Sequence, residues 1–383
     1  MSYRPGLSVR PSVTIQSPEA LQRVLVTWGQ SAPTRPPSED LSATPLALGS
    51  WSKHFSTPST LVLALDRDAD VSVLLPLVRQ DPNALGAGIR TLKSLGNFYW
   101  QFGYPISQSG TIHGMDELLS RTVVRPDWDV LELGPMLVES EQFRALHRSG
   151  ERLGACPTVD MVQPDPIVRI EGTWDDYYHV VSKGLRDKVE QAERRLMRQG
   201  HLSFEVCHGG PSLVDELRDF FELEAAGWKG RQRTAIANDQ KVQAFYTDLA
   251  REAASRSCLR LYSCRLNGKL IAADFAILQD RILYLLKIAY AESMKRFSPG
   301  HLLRRHVLRG MFETKEAEIY DLMRGGGEHA AYKQRWANAN RRYAILRLYH
   351  PTTIRGKVAR ALAGSRRWVR KLRGSRPIQV GTT

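Results

Sequence analysis

The sequence predicts an α/β protein of the α+β type, with mixed, mostly antiparallel sheets flanked by helices. Three observations indicate this class. Between Leu259 and Tyr349 the pattern gives three successive strands joined by tight turns before a helix begins, which favours antiparallel pairing. A second hairpin pattern, Leu61–Leu65 with Val71–Val78, occurs in the first half of the chain. Several longer segments place their apolar residues at helical spacing.

The chain is long enough for two domains, and composition indicates where they divide. Of its 383 residues, 42% are hydrophobic and 25% are charged, as in ordinary soluble globular proteins. Residues 1–50 are rich in Pro, Ser and Thr and are predicted to form a loose N-terminal arm. The break Pro164-Asp165-Pro166 separates an N-terminal domain, 51–165, from a C-terminal domain, 166–350, which a basic tail, 351–383, follows.

The elements of the N-terminal domain are predicted from turns and apolar runs. The polar segment Asp66–Asp70 joins the two strands of the first hairpin. A further strand covers 129–133, and a helix covers 140–154 and ends at a glycine.

The C-terminal domain is predicted to begin with helices around one strand. Thr173 or Asp175 caps a long helix, whose apolar positions reach Leu196 and which ends at Gly200. A strand at 202–206 follows. Two amphipathic helices, 213–228 and 241–255, complete this part.

The following stretch has the most defined order of elements. Asn267-Gly268 is a strong signal for a two-residue hairpin turn, and Asp280-Arg281 turns into a third strand. Ser298 is predicted as the N-cap of a helix and Pro299 as its first residue. One face of that helix is predicted to consist of Leu302, Leu303, His306, Val307, Gly310 and Met311. The remaining predicted elements are a strand at 319–323, a tight loop at 324–327, a short helix at 328–336 and a final strand at 342–349.

The two hairpins, Leu61–Val78 and Leu259–Leu278, share a polar turn and an apolar second strand. The similarity is one of pattern and not of sequence identity. It suggests a duplicated unit whose first copy has eroded.

The net charge of +14 is high, and basic residues between Arg355 and Arg376 are accompanied by no acidic residue. Such an excess of positive charge favours binding to polyanions, namely nucleic acid, anionic lipid or anionic cofactors. A solvated basic tail with no single target explains the charge equally well. The first residues lack the apolar core of a signal peptide, and no apolar run approaches the roughly 20 residues of a membrane span. The cysteines show no zinc-ligand spacing, so we expect reduced thiols, a cytoplasmic location and no metal.

The segment from Met294 to His301 is a candidate anion site. A helix start presents free N–H groups and a partial positive charge, which suit a pyrophosphate. Lys295 and Arg296 add full charges, and Gly300 removes side-chain bulk where a phosphate must approach the backbone. An ordinary capped helix would show the same pattern.

Four further residues are candidates for chemistry. Asp321 and Asp274 lie in apolar strands, where a buried carboxylate needs a partner. Asp321 would position catalytic or substrate groups, and a structural ion pair would explain it equally well. Asp274 would accept a proton from an amine, although a structural ion pair explains it somewhat better. Tyr332 could donate a proton to a leaving thiolate, or could be a packed helix residue, and Lys333 could hold a phosphate or a substrate carboxylate.

The segment Trp228-Lys229-Gly230-Arg231 follows a predicted helix and could form one wall of an acceptor groove. Arg186 lies on the polar side of the long helix, where it would contact a substrate or be solvated. The sequence contains neither a GxSxG nor a Walker A motif, and nothing in it indicates a nucleophile–histidine pair.

Over about 50–350 the chain resembles the bacterial BioF2-like or CelD-like acetyltransferases of the GNAT superfamily, which are relatives of the FemAB peptidyltransferases. The segments that carry the resemblance include Gly227-Trp228-Lys229-Gly230-Arg231, the helix start Ser298-Pro299-Gly300, and Tyr320-Asp321-Leu322 with Tyr332-Lys333 beyond. Two segments of the first half also contribute: Leu75-Pro76-Leu77 and Trp128-Asp129-Val130-Leu131-Glu132-Leu133.

The resemblance implies a tandem GNAT fold with a degenerate first copy and the donor site in the second. The family's donor loop maps onto Arg296, Phe297, Ser298, Pro299, Gly300 and His301. The usual Gln/Arg-x-x-Gly-x-Gly/Ala pattern is absent, and only Ser-Pro-Gly remains. The implied activity is transfer of an acyl group, in the first instance acetyl from acetyl-CoA, to a small amine or amino sugar in polysaccharide or cell-envelope biosynthesis.

Two alternatives remain open. FemAB relatives use aminoacyl-tRNA, and a basic chain fits tRNA as well as acyl-CoA. The chain could instead be a non-catalytic adaptor, in which residues 354–373 lie on an anionic surface at the inner membrane. A peripheral position at that membrane is also compatible with an enzyme.

Overall fold

A computed structural model describes residues 13–15, 17–30, 40–67, 70–82, 88–97, 99–107, 114–162, 164–323 and 328–372. The helices are α1 Pro18–Gln30, α2 Leu48–Phe55, α3 Met115–Val123, α4 Glu141–Arg152, α5 Trp174–Val180, α6 Lys183–Met197, α7 Leu213–Ala225, α8 Trp228–Arg231, α9 Gln240–Ser255, α10 Pro299–Thr314, α11 Glu328–Gln334 and α12 Ile354–Leu372. Short 3-10 turns cover Leu41–Ala43, Ile236–Asn238 and Glu292–Phe297.

The strands are β1 Val13–Ile15, β2 Thr60–Arg67, β3 Asp70–Arg79, β4 Thr91–Ser94, β5 Ile106–Ser107, β6 Val130–Leu137, β7 Thr158–Met161, β8 Asp165–Arg169, β9 Leu202–Cys207, β10 Leu259–Leu266, β11 Lys269–Gln279, β12 Ile282–Tyr290, β13 Ile319–Asp321, β14 Ala339–Arg341 and β15 Tyr343–Tyr349. The chain divides into two units. Unit 1 comprises Met1–Pro36, Thr57–Val162 and Ala344–Thr383, and unit 2 comprises Pro37–Ser56 and Gln163–Tyr343.

The sheet of unit 1 has the strand order β1-β2-β3-β4-β6-β15-β7, and β5 pairs with β3. The predicted first hairpin is β2 with β3, paired antiparallel from Thr60 and Val78 to Arg67 and Asp70. Two residues of its predicted turn, Asp68 and Ala69, lie outside the described residues.

The sheet of unit 2 has the order β14-β8-β13-β12-β11-β10-β9. The β10–β11 turn is the predicted Asn267-Gly268 pair, and both residues have the positive φ, 50° and 77°, that this tight turn requires. β11 is buried along most of its length. Helices α5, α6 and α10 pack on one of its faces, and Phe275 meets Phe220 of α7 and Tyr246 of α9 on the other.

Both sheets use the same sequence of pairings. In unit 1, β1, β2, β3 and β4 are antiparallel neighbours and β4 is then parallel to β6. In unit 2, β9 to β12 are antiparallel neighbours and β12 is then parallel to β13. The predicted α+β class, with mostly antiparallel sheets in tandem, is confirmed.

The ends of the two sheets do not follow the contiguous division expected from the sequence. The final predicted strand is β15, and it pairs with β7 in the first sheet, whereas β14, immediately before it, pairs with β8 in the second. Contacts between residues far apart in the sequence determine these strand partners. The break at Pro164-Asp165-Pro166 is a local feature and gives no information about them.

The predicted loose arm also differs from the structure at its end. Leu41, Leu46 and Leu48 are buried and belong to unit 2, and α2 begins at Leu48. Lys53 and His54 of α2 both contact Asp248 of α9, at 2.8 and 2.9 Å. The apolar residues after the Pro-rich part therefore belong to a folded unit.

Two predicted helices are each interrupted. The long helix is α5 and α6, because Val181 is extended and buried and Ser182 then starts the next helix. The predicted Thr173 cap is confirmed as a capping box with Asp176. The helix predicted at 213–228 ends at Ala225, so that Trp228 begins the short α8. Among the described helices, none is long and apolar enough to cross a membrane.

Candidate active site at the start of α10

The candidate site lies where β12 leaves its neighbour β13. All three residues of β13 pair with the first residues of β12, Ile282 to Tyr284, so the rest of β12, as far as Tyr290, has no partner in β13. The 3-10 turn Glu292–Phe297 follows β12 and leads into α10. The end of β12 that does not pair with β13 and the start of α10 are thus close in sequence and adjoin the same sheet.

The start of α10 has an unusual backbone. Helix α10 begins at Pro299 as predicted, but Ser298 is left-handed, with φ 49° and ψ 49°, and its side chain makes no capping hydrogen bond. The Ser298 carbonyl accepts from the amides of His301 and Leu302, at 3.0 and 3.1 Å. Because Pro299 has no N–H, Gly300 supplies the one first-turn amide that no described carbonyl accepts. The helix start therefore offers fewer donors to an anion than the sequence suggested.

Gly300 makes room for a tyrosine. A Cβ at this position would lie 3.3 Å from Oη of Tyr332, and the Tyr332 ring lies 4.3 Å from that of His301. The structure thus brings together Tyr332, predicted as a proton donor, and the predicted donor loop. Because Gly300 has no side chain, it leaves space beside the Tyr332 hydroxyl. That space could also admit a phosphate.

A buried ion pair lies one helical turn further along α10. Arg304 and Asp274 of β11 are 3.0 Å apart between Nη1 and Oδ2, with the two side chains 0% and 3% exposed. Arg304 is four residues after Gly300 and so shares its face of the helix. The guanidinium also lies 5.2 Å from the ring centroid of Tyr320. The sequence pattern indicated Asp274 as a candidate but not Arg304.

The signal for Arg304 was a charged residue between the apolar positions of α10. The predicted apolar face was partly wrong: His306 is exposed, whereas Arg304 and Leu308 are buried. The buried face of α10 therefore includes Arg304, the partner of Asp274. Helical spacing alone did not predict this burial.

Burial sets the proton equilibria of this group. It raises the pKa of the Tyr332 hydroxyl to about 12, and the positive charge of Arg304 opposes this shift. It also raises the pKa of Asp274, again against the effect of Arg304. The pKa of Lys333 falls to about 8 through burial and the nearby charge of Arg304. At neutral pH Tyr332 is therefore a protonated donor beside a fixed positive charge.

The remaining predicted residues have partners of other kinds. Asp321 is fully buried, lies 3.2 Å from Nη1 of Arg341 and accepts from the amide of Met323 at 2.8 Å. Burial raises its pKa, and Arg341 opposes that shift. Lys333 donates to the Met323 carbonyl at 3.0 Å. Asp321 thus has the buried cationic partner that its position in an apolar strand required.

The predicted acceptor wall is less open than expected. Nζ of Lys229 lies 2.6 Å from Oε1 of the buried Glu224 and 3.0 Å from the Ile288 carbonyl, so Lys229 ties α8 to α7 and β12. The side chain of Trp228 lies outside the described residues. Arg186 is partly exposed on α6, 5.9 Å from the ring centroid of Tyr178.

The donor-loop side chains are divided between surface and core. Arg296 is exposed and lies over the ring of the buried Phe297, at 4.6 Å. His301 is buried and accepts a hydrogen bond at Nδ1 from Nε1 of Trp336, at 3.0 Å. A ring whose Nδ1 accepts carries its proton on Nε2. Burial and the charge of Lys188 lower the pKa of His301 to about 3, so the ring is neutral.

This histidine makes a testable contribution to acid sensitivity. Its pKa is near 6.5 in an unfolded chain and about 3 in the folded protein. Between these values the unfolded chain binds one more proton, so stability rises with pH and is lost as pH falls. We expect this group to contribute up to about 1.4 kcal/mol per pH unit between pH 6.5 and 3. Urea unfolding from pH 7 to 5 should show a shallower loss in His301→Asn than in wild type, whereas equal slopes would contradict a buried neutral imidazole.

Part of unit 2 matches a known family model. Residues 183–334 match the family model described as an acetyltransferase (GNAT) domain. The segment holds α6 to α11 and the meander β10 to β12. This segment is similar to a GNAT-type acetyltransferase domain. The match covers α10, Asp274, Arg304 and Tyr332, and so includes the whole candidate site. A search of curated proteins found no match.

Solved structures resemble nearly the whole chain at low identity. A conserved protein of unknown function from Bacteroides thetaiotaomicron is 11% identical, with a TM-score of 0.55 over 88% of this chain and 99% of the other. The C-terminal domain of a putative lysylphosphatidylglycerol synthetase from Agrobacterium fabrum is 11% identical, with a TM-score of 0.53 over 92% and 97%. The crystal structure of FemX is 12% identical, with a TM-score of 0.50 over 87% and 96%. At these identities the likeness shows that the fold is shared.

Proposed function

We propose that unit 2 is an N-acyltransferase that moves an acyl group, in the first instance acetyl, from acyl-CoA to an amine. The observation that carries this proposal is the Tyr332 hydroxyl beside Gly300 at the start of α10, next to the buried Arg304–Asp274 pair. It lies within the segment that matches the GNAT domain.

The reaction would be direct transfer. The amine nitrogen forms a bond to the thioester carbonyl carbon, and the carbon–sulfur bond then breaks. Tyr332 gives its proton to the leaving thiolate, and Arg304 stabilises the negative charge that develops on the tyrosine oxygen. The amine loses its proton to Asp274 or to water. Burial makes Asp274 a stronger base, and pairing with Arg304 makes it a weaker one.

A small amine or amino sugar in polysaccharide or cell-envelope biosynthesis is the acceptor that the resemblance to BioF2-like and CelD-like enzymes suggests. Lys333 and Arg186 are the proposed contacts for its polar groups, and Asp321 would hold β13 in place through Arg341. A cytoplasmic location fits acyl-CoA as the donor. In the part of the chain that the structure describes, no cluster of His, Cys, Asp and Glu side chains could hold a metal ion.

A second candidate is transfer from aminoacyl-tRNA. It is favoured by the scarcity of free amides at the start of α10, where Ser298 satisfies two of them and Pro299 has none. A shared fold with FemX is consistent with it. This candidate predicts tRNA binding that weakens steeply as salt is raised, because binding releases counterions from phosphates.

Calorimetric titration with acetyl-CoA tests the donor. We expect binding by the wild type and at least about tenfold weaker binding by Gly300→Glu, since the new carboxylate would lie beside Tyr332 and repel a pyrophosphate. Gly310→Glu is the matched control, because a Cβ at Gly310 on the same helix meets nothing within 4 Å. No binding of acetyl-CoA or of longer acyl-CoAs would overturn the acyl-CoA proposal and direct the test to aminoacyl-tRNA.

A further inference from the structure

Helix α12 has two faces of different character. Its small residues, Gly356, Ala359 and Ala363, lie on the side that packs on unit 1. A Cβ at Gly356 would come within 2.6 Å of the His350 carbonyl, and Ala359 is buried with Val130 and Tyr349. The small-residue face is therefore occupied by the helix's own unit.

The other face is apolar and exposed. Ile354, Val358 and Leu362 follow one another at four-residue spacing, which forms one stripe along the helix. They are 80%, 50% and 48% exposed. Other large apolar side chains exposed in the described residues, such as Val26, Val180 and Val214, lie on different elements. A contiguous exposed stripe of this kind marks an interaction surface.

Positive charges accompany the stripe. Arg355, Lys357 and Arg360 are exposed beside it. The sequence of the later turns adds Arg366, Arg367, Arg370 and Lys371, and the helix contains no acidic residue. Two such helices placed stripe to stripe would bring these charges together, so the charge pattern disfavours a second copy of this chain as the occupant.

We propose that α12 docks unit 1 on an anionic lipid surface. The stripe of Ile354, Val358 and Leu362 would enter the boundary between headgroups and acyl chains, and the flanking basic residues would bind anionic headgroups. The small-residue face keeps the helix attached to unit 1 while the stripe is in lipid. The helix belongs to unit 1 and the candidate active site belongs to unit 2, so the proposed docking does not depend on the proposed activity.

Vesicle co-sedimentation of the full-length protein tests this surface. We expect the wild type to bind phosphatidylcholine vesicles that contain about a third phosphatidylglycerol at least tenfold more strongly than pure phosphatidylcholine vesicles. Raising the salt from about 0.05 to 0.5 M should weaken that binding by a similar factor, because the surface charge is screened. Equal binding to both vesicles, or no binding, would overturn the proposal.

The apolar part is tested by Val358→Gln with Leu362→Gln. Both side chains are about half exposed, so we expect the double variant to keep the wild-type melting temperature and to lose at least about tenfold in vesicle affinity. Val214→Gln, at a 62% exposed position on α7, is the matched control and should bind as the wild type does. Undiminished binding by the double variant would overturn the proposal. A wild-type dimer in light scattering that the double variant dissociates would do so too, since the stripe would then be covered by a second copy.

Discussion

Replacing Arg304 with methionine is expected to lower the free energy of unfolding by about 3–5 kcal/mol. The guanidinium is fully buried and pairs with Asp274, which is itself almost fully buried. Methionine fills similar space but leaves the Asp274 carboxyl without a partner in an apolar interior. Urea unfolding at neutral pH measures the loss, which should shift the midpoint without changing the slope.

Two further variants separate a buried pair from general damage to α10. Arg309→Met removes an ion pair with Glu313 on the same helix, but both of those side chains are more than half exposed, at 55% and 56%. We expect it to cost less than about 1 kcal/mol. The double variant Arg304→Met with Asp274→Leu should recover most of the lost stability, because no buried charge remains. A single Arg304→Met variant as stable as Arg309→Met would show that the carboxyl is not buried as described.

Replacing Tyr332 with phenylalanine is expected to lower kcat for acyl transfer by about 10²–10⁴-fold. The hydroxyl is the group that reaches the start of α10, and burial raises its pKa to about 12, so it holds a proton at neutral pH. Phenylalanine keeps the ring beside His301 and removes only the proton donor. Thiol release from acetyl-CoA, measured with an amine acceptor under saturating conditions, gives kcat directly.

The affinity for the donor distinguishes proton transfer from binding. We expect Tyr332→Phe to bind acetyl-CoA within about threefold of the wild type, because its lost contact acts mainly in the transition state. Tyr349→Phe removes a hydroxyl that lies 3.3 Å from Thr158 in unit 1 and serves as the control, with unchanged kcat. A Tyr332→Phe enzyme as fast as this control would exclude Tyr332 as the acid.

Local signals in the sequence predicted much of unit 2. The Asn267-Gly268 turn, the start of α10 at Pro299 and the cap at Thr173 each depend on a few adjacent residues, and the structure contains all three. Such features follow from backbone preferences that act within one or two turns. The two hairpin patterns also suggested a duplicated unit, and the two sheets have the same order of strand pairings.

Long-range pairing accounts for what the sequence did not predict. Arg304 is one of three arginines in α10, and its burial depends on Asp274, thirty residues earlier. In the same way, nothing local to β15 reveals that its partners lie in the sheet of unit 1. The prediction that Gly300 lets a phosphate approach the backbone was also incomplete. The neighbour that limits space at Gly300 is Tyr332, which lies on a different helix.

A crystal structure with acetyl-CoA bound would test the central claim most directly. We expect the coenzyme to lie against the start of α10, with its thioester sulfur within hydrogen-bond reach of Oη of Tyr332, as a general acid requires. A coenzyme bound with its sulfur out of reach of Tyr332, or away from the start of α10, would contradict the proposed site.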